Sequence, residues 1–215
     1  MPIPNFLNQV GPVLAGFNAG GASAARSNRV NAFMTCQEAD LWCWAAVTQT
    51  VEGFRGTNVT QSDIATAHVS IGQPGKVCKA TDLWEATVGC GDPCSGACNS
   101  PHLLSKVLAE RGRLGSKRSC IPVFQDVVDA IDNDKPLPVR IQINTSQGGG
   151  HFICVIGYSD DGAGNQFVEV LDPMMPGVGQ GKADMHIVPF ASFVGGGYTV
   201  NGDPGTPNYI YDIKL

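Results

Sequence analysis

Charged residues are scarce in this chain of 215 residues, because Asp, Glu, Lys and Arg together make up only 15% of it. Acidic residues outnumber basic ones, and the formal net charge of -5 argues against nucleic acid or an anionic membrane as the main partner. No apolar run reaches the roughly 18 residues of a membrane-spanning helix. With 43% hydrophobic residues, the chain can bury a sizeable core in one domain, or in two lobes that share a cleft.

The first twenty residues lack the basic segment and the unbroken apolar stretch of a secretory signal peptide. Eight cysteines nevertheless favour disulfides and an oxidising compartment, since so many thiols are unusual in a cytosolic enzyme of this size. The C-x2-C pairs of structural zinc sites are also missing, so we expect no metal site. The cysteines expected to form three disulfides, in a pairing that their spacing leaves open, are Cys36, Cys78, Cys90, Cys94, Cys98 and Cys120.

Apolar periodicity divides the chain into a helical first part and a strand-rich second part, which predicts an α+β protein. Residues 1–32 are rich in Gly, Ala, Asn and Ser and predict an extended N-terminal arm. The remaining residues 33–215 form the predicted domain, with a helical lobe at 33–135 and a β lobe at 136–215. The expected helices cover 43–53, 61–72, 82–88, 102–111 and 123–131, and the expected strands cover 137–143, 152–158, 167–171, 186–190 and 209–213.

Four side chains with complementary chemistry lie in these two parts, namely Gln37, Cys43, His151 and Asp172. Cys43 begins a predicted helix, whose partial positive charge favours the thiolate, the nucleophilic form of cysteine. His151 would stabilise the thiolate further, and Asp172, after the next strand, would orient the imidazole ring. Gln37 and the backbone N–H of Cys43 would donate hydrogen bonds to an oxyanion. We therefore predict a thiol acyl-transfer site in the cleft between the lobes.

Each of these residues also has an ordinary structural interpretation when it is taken alone. A cysteine in an apolar helix usually belongs to the core. A histidine before a strand is usually an edge residue with its hydrogen bonds satisfied, and Asp172-Pro173 is typical of a turn. The prediction depends on all four residues together, in this order and at these spacings.

The spacing of these residues resembles that of the papain-like cysteine peptidases. Gln37 lies six residues before Cys43-Trp44-Ala45, and His151 is followed at the family's interval by Gly157-Tyr158. The resemblance implies a papain-like fold, with the nucleophile on a helical lobe and the histidine and aspartate on an antiparallel β-rich lobe. It assigns Gln37 to the oxyanion hole, Cys43 to the role of nucleophile and His151 to that of base.

The pair Asp172-Pro173 is more similar to compact bacterial members, such as staphopain-like and plant-pathogen effector proteases, because many plant and animal members carry asparagine there. Asp40 is a departure, since it stands where papain-type enzymes have a disulfide cysteine. The disulfides of the family are therefore not carried over. We also expect Trp44, Gly149 and Gly150 to bind substrate, because glycines let the backbone approach a bound peptide.

The function expected from these features is that of a secreted or extracellular cysteine endopeptidase, of bacterial type, that cleaves proteins or peptides as a monomer. We expect it to need no cofactor and to bind no nucleic acid. Two alternatives stay open. One is an amidase, deamidase or transpeptidase with the same triad, and the other is a catalytically retired, disulfide-rich binding protein. Cys43 must stay unpaired in the endopeptidase and also in the first alternative, because both use it as the nucleophile. We expect Cys154 to pack inside a strand as a second free thiol.

Overall fold

The computed structural model describes residues 24–69, 99–146, 148–176 and 183–214. Within these ranges the protein is a mixed α/β structure, in which five helices accompany an eight-stranded antiparallel sheet. The helices are α1 (Cys43–Phe54), α2 (Gln61–Val69), α3 (Leu104–Glu110), α4 (Phe124–Asp132) and α5 (Phe190–Val194). The strands are β1 (Arg26–Arg29), β2 (Leu114–Arg118), β3 (Leu137–Ile143), β4 (Gly150–Asp160), β5 (Gln166–Pro176), β6 (Ala183–Pro189), β7 (Tyr198–Val200) and β8 (Asp203–Ile213).

The sheet has the order β2-β8-β3-β4-β5-β6, and neighbouring strands run antiparallel. β3 pairs with the first half of β4, and β1 pairs with its second half, where Arg29 lies opposite Gly157. β7 and β8 form a hairpin through Asn201 and Gly202, whose φ angles are 51° and 87°. Two consecutive positive φ angles are the geometry in which an Asn-Gly turn joins twisted strands.

Helix α1 packs against β4 and β5 and also contacts α2 and α3. Nine of its twelve residues are buried, as expected for a helix that is covered on nearly every side. Its buried Glu52 accepts hydrogen bonds from Arg111 at 2.7 Å and from Arg113 at 2.8 Å. Burial raises the pKa of Glu52, but the bonds from Arg113 and Arg111 outweigh this effect and lower the pKa. These ion pairs join the C-terminal end of α1 to the segment between α3 and β2.

Most of the predicted helices and strands are present in the described ranges, and β3 has the bounds that its alternating sequence predicted. The prediction missed β1, β2, α5 and β7, and it started α3 at His102 instead of Leu104. β2 has the sequence Leu-Gly-Ser-Lys-Arg, which shows no apolar alternation, and it becomes a strand by pairing with β8. The helix expected at 82–88 lies outside the described residues.

The N-terminal arm differs from the expectation where the structure describes it. The four residues of β1 are all exposed, yet they pair with β4 and so extend the sheet. β1 and β2 both come from the first 135 residues, so the sheet is not confined to the second part of the chain. Residues 1–23 lie outside the described residues, and the division into two lobes stays a prediction.

Among the described cysteines, Cys36 is disulfide-bonded and Cys43, Cys120 and Cys154 are free thiols. Cys154 is buried in β4, as expected, and burial raises the pKa of its thiol. The prediction that Cys120 joins a disulfide is wrong, because this residue packs against the hydrophobic core as a small apolar side chain. The remaining candidates lie outside the described residues: Cys78, Cys90, Cys94 and Cys98.

None of the described helices combines the length and the hydropathy needed to span a membrane. In the same ranges, no group of three or more His, Cys, Asp or Glu side chains could hold a metal ion.

Candidate active site

Cys43 is the first residue of α1 and is 8% exposed. The first peptide N–H groups of a helix have no partner within the helix, so this end carries a partial positive charge. Cys43 lines a cavity of about 210 Å³, and His151 lines the same cavity. A nearly buried thiol thus lies at the positive end of a core helix, beside a histidine from the sheet.

His151 and Asp172 come from the neighbouring strands β4 and β5. Cys154 of β4 lies opposite Leu171 of β5, and continuing this antiparallel register by one residue sets Asp172 opposite Ile153. Ile153 and His151 are two residues apart in β4, so their side chains are on the same face of the sheet. The Asp172 side chain therefore lies on the same face as that of His151, displaced by one pleat. His151 Nε2 donates to Asp172 Oδ1 at 2.7 Å. His151 is also hydrogen-bonded to Cys43. Because Asp172 occupies Nε2, the ring nitrogen that remains for Cys43 is Nδ1.

The charges of His151 and Asp172 stabilise each other. Burial would lower the pKa of His151, but the charge of Asp172 and the hydrogen bonds to Asp172 and Cys43 raise this pKa to about 10. Burial raises the pKa of Asp172, but the charge of His151 and the bonds from His151, Tyr198 and Met174 lower it below its usual range. At neutral pH His151 is therefore a cation held by a carboxylate, and this cation can stabilise a thiolate on Cys43.

Asp172 is fully buried and receives three hydrogen bonds. Oδ1 accepts from His151 Nε2 and, at 2.9 Å, from the backbone N–H of Met174. Oδ2 accepts from the hydroxyl of Tyr198 at 2.6 Å. A buried carboxylate needs such donors to remain ionised. The expectation that the strand stops at residue 171, just before Asp172, is wrong, because β5 continues to Pro176.

Gln37 is 1% exposed and is held by two backbone contacts. Its N–H donates to the carbonyl of Pro173 at 2.9 Å, which joins the Gln37 segment to β5 next to Asp172. Its side-chain Nε2 donates to the carbonyl of Asp40 at 2.6 Å. An amide nitrogen carries two N–H groups, and within the described residues Asp40 takes one of them, so the second remains as a donor. Gln37 is not one of the residues that line the cavity shared by Cys43 and His151.

Of the three residues expected to bind substrate, Trp44 and Gly150 line the cavity and Gly149 does not. The carbonyl of Gly149 accepts a hydrogen bond from Gln142 Nε2 at 2.8 Å, and its φ of 123° strongly favours glycine. A Cβ on Gly150 would meet the guanidinium at the end of the flexible Arg140 side chain. The positive φ angles of Gly148 and Gly149 therefore permit the turn that leads into β4.

Sequence reasoning missed several residues around this cavity. His102 lines it, with its ring centroid 5.2 Å from that of Trp44. The hairpin of β7 and β8 contributes Val200, Asn201 and Asp203, and the same β7 carries Tyr198. The Asn201-Gly202 pair is a hairpin signal that could have located this wall from the sequence. The sequence around His102 has no comparable signal that would have placed this residue at the cavity.

A thiol paired with a histidine that a buried carboxylate holds is the arrangement with which cysteine hydrolases carry out nucleophilic catalysis. Residues 30–198 match the model of the Peptidase C39-like family, and the chain belongs to this family. The matched span includes Cys43, His151 and Asp172 and covers most of the chain. Membership confirms the expected class, that of the cysteine peptidases, and with it a peptidase hydrolase. No curated protein is significantly similar to the chain.

Proposed function

We propose that the protein is a papain-like cysteine endopeptidase that hydrolyses peptide bonds through a thioester acyl-enzyme. The observation that supports this proposal most directly is the hydrogen-bonded series from Cys43 through His151 to Asp172 at the cavity. The papain-like assignment is supported by a nucleophile on a helix N-terminus and a base on a neighbouring strand. It is also supported by the spacing of Gln37 from Cys43.

In the acylation step, the thiolate of Cys43 attacks the carbonyl carbon of the peptide bond and a C–S bond forms. The backbone N–H of Cys43 and the second N–H of the Gln37 amide donate to the oxyanion. The imidazolium of His151 gives its Nδ1 proton to the leaving amine as the C–N bond breaks. Asp172 stays ionised and holds the ring in place.

In the deacylation step, water attacks the thioester and neutral His151 accepts one of its protons. The C–S bond then breaks, which releases the carboxylic acid and regenerates the thiolate of Cys43 beside an imidazolium. Every proton is accounted for by His151 and water, so the side chains present are sufficient for the hydrolysis.

The proposal includes a secreted or extracellular location. The disulfide of Cys36 supports it, because such bonds persist mainly in oxidising compartments. Peptide mapping without reductant of the protein isolated from its native source tests this point, and a reduced Cys36 in that protein would contradict it.

The test of the activity is cleavage of casein by the wild type and by Cys43→Ala. Cys43→Ala should abolish cleavage and also the labelling of one thiol by iodoacetamide at neutral pH. Cys120→Ala is the matched control, because it removes a free thiol that does not line the cavity and should leave cleavage unchanged. Cleavage by a folded Cys43→Ala protein would refute the proposal. Ligated products would indicate a transpeptidase, and a folded wild type that neither labels at Cys43 nor cleaves would indicate a binding protein.

A further inference from the structure

Tyr198 holds the side of Asp172 that faces away from His151. Its hydroxyl donates to Asp172 Oδ2 at 2.6 Å, and the residue is 4% exposed. The ring packs edge-on against Phe193, with centroids 5.7 Å apart and planes at 88°. Its backbone lies in β7, opposite Gly205 of β8. The phenol is therefore held in position by an aromatic neighbour and by the hairpin.

The distribution of donors around Asp172 determines how its carboxylate is oriented. Oδ1 receives the bonds of His151 and Met174, and Oδ2 receives that of Tyr198. Without the hydroxyl, Oδ2 would be a buried charged oxygen without a partner, which is a costly arrangement. Turning about the Cβ–Cγ bond would relieve it, and this rotation would move Oδ1 away from His151.

We infer that Tyr198 is a positioning residue, whose hydroxyl fixes the plane of the Asp172 carboxylate so that Oδ1 stays directed at His151. Through Asp172 it keeps the imidazole facing Cys43. This role rests on the proposed peptidase function, because it concerns the same triad.

The electrostatic surroundings are consistent with this role. The titratable groups that act on His151 are Asp172 and Cys43, and those that act on Asp172 are His151 and Tyr198. Burial and the charge of Asp172 raise the pKa of Tyr198, so the phenol stays protonated and remains a donor at every pH at which the enzyme would work. The titratable residues that line the cavity besides Cys43 and His151 are Asp40, His102 and Asp203.

The test compares Tyr198→Phe with Tyr158→Phe. Tyr158 is a matched control, because it is also buried and its hydroxyl also donates to an aspartate, Asp132, at 2.9 Å, but it does not line the cavity. Tyr198→Phe should lower kcat about tenfold, the order of one lost hydrogen bond to a charged group, with KM within about twofold. The ring and the hairpin stay in place, so substrate binding should change little. Tyr158→Phe should keep the wild-type kcat.

The pH dependence separates positioning from a structural role. A carboxylate that is free to turn holds the imidazolium less well, so Tyr198→Phe should move the alkaline limb of kcat/KM to lower pH. Values of kcat are taken per mole of folded protein, with the folded fraction measured by urea unfolding at the assay pH, so that a loss of folded protein does not affect them. An unchanged kcat and limb would mean a purely structural role and would overturn the inference, and so would a limb that moves to higher pH.

A second readout keeps the inference testable if the wild type cleaves no peptide. The rate at which iodoacetamide alkylates Cys43 reports the ionisation of His151 as a function of pH, without any substrate. If the wild type alkylates but does not cleave, the proposed function fails. The inference about Tyr198 then stands if Tyr198→Phe shifts the upper inflection of the alkylation curve to lower pH, and it fails if the curve is unchanged or moves upward.

Discussion

Asparagine and alanine at position 172 would separate the charge of Asp172 from its geometry. Asp172 Oδ1 accepts from the N–H groups of His151 and Met174. Asp172 Oδ2 accepts from the hydroxyl of Tyr198, and a hydroxyl can also act as an acceptor. In Asp172→Asn the amide oxygen can therefore take the place of Oδ1, while its NH2 group donates to Tyr198. His151 stays oriented in this variant, and only the negative charge is lost.

The loss of this charge determines the expected kinetics of Asp172→Asn. The charge of Asp172 is the largest contribution that raises the pKa of His151 to about 10, and burial opposes it. Without the charge this pKa should fall, and the alkaline limb of kcat/KM should move from about pH 10 to lower pH. We expect kcat to decrease about tenfold at pH 7 with little change in KM, because the imidazolium acts in the transition state.

Asp172→Ala should be more harmful, since it removes the geometry as well. The Met174 N–H and the Tyr198 hydroxyl would lose their partner in a buried site, at about 1–3 kcal/mol each, so the free energy of unfolding should fall by about 3 kcal/mol. With the ring free to turn, kcat should fall by about 10³. Rate measurements from pH 5 to 11 and urea unfolding provide the comparison. An Asn variant with the wild-type alkaline limb would show that another group sets the charge of His151.

Three further predictions concern stability and the surroundings of the site. Glu52→Gln should lower the free energy of unfolding by about 2 kcal/mol, and the melting temperature by about 4–8 °C, because it leaves two arginines without their buried anion. Gly149→Ala should destabilise the protein by about 1–3 kcal/mol and slow the alkylation of Cys43, since the positive φ of residue 149 is strained for alanine. The control is Gly53→Ala, which should be neutral or stabilising because residue 53 lies in a helix with open space around it. A protein that begins at Val30 should fold and cleave but unfold at lower urea than one that begins at Ala24, because it lacks β1; equal midpoints would show that β1 adds nothing.

His151 also determines how the free energy of unfolding depends on pH. Because folding raises the pKa of His151 from 6.5 to about 10, its contribution to stability is complete below pH 6.5 and is lost as the pH rises through about 10. The free energy of unfolding should therefore decline over this range in the wild type and decline less in Asp172→Asn. Equal slopes for the two proteins in urea titrations at several pH values would contradict this assignment.

Local patterns in the sequence were sufficient for several of the helices and strands. The apolar run after Cys43 predicted α1, and the alternation from Leu137 predicted β3, because burial on one or both faces leaves a periodic record in the chain. The interval from Gln37 to Cys43 and the strand after His151 predicted the cysteine peptidase class that the family match confirms. The class of a site can be predicted from the sequence where it depends on residue types and on their spacing along one helix or strand.

Tertiary structure alone decided several other strands and side-chain contacts. β1 and β2 are strands because β4 and β8 offer them an edge, and neither sequence shows the alternation of a half-buried strand. Cys120 stays a free thiol for a similar reason, since packing and not sequence spacing determines whether two sulfurs meet. Tyr198 reaches Asp172 because a hairpin closes at Asn201-Gly202 and brings β7 to the core. Such contacts join residues that are distant in the chain, and pairing across a sheet leaves no local record of which residues will meet.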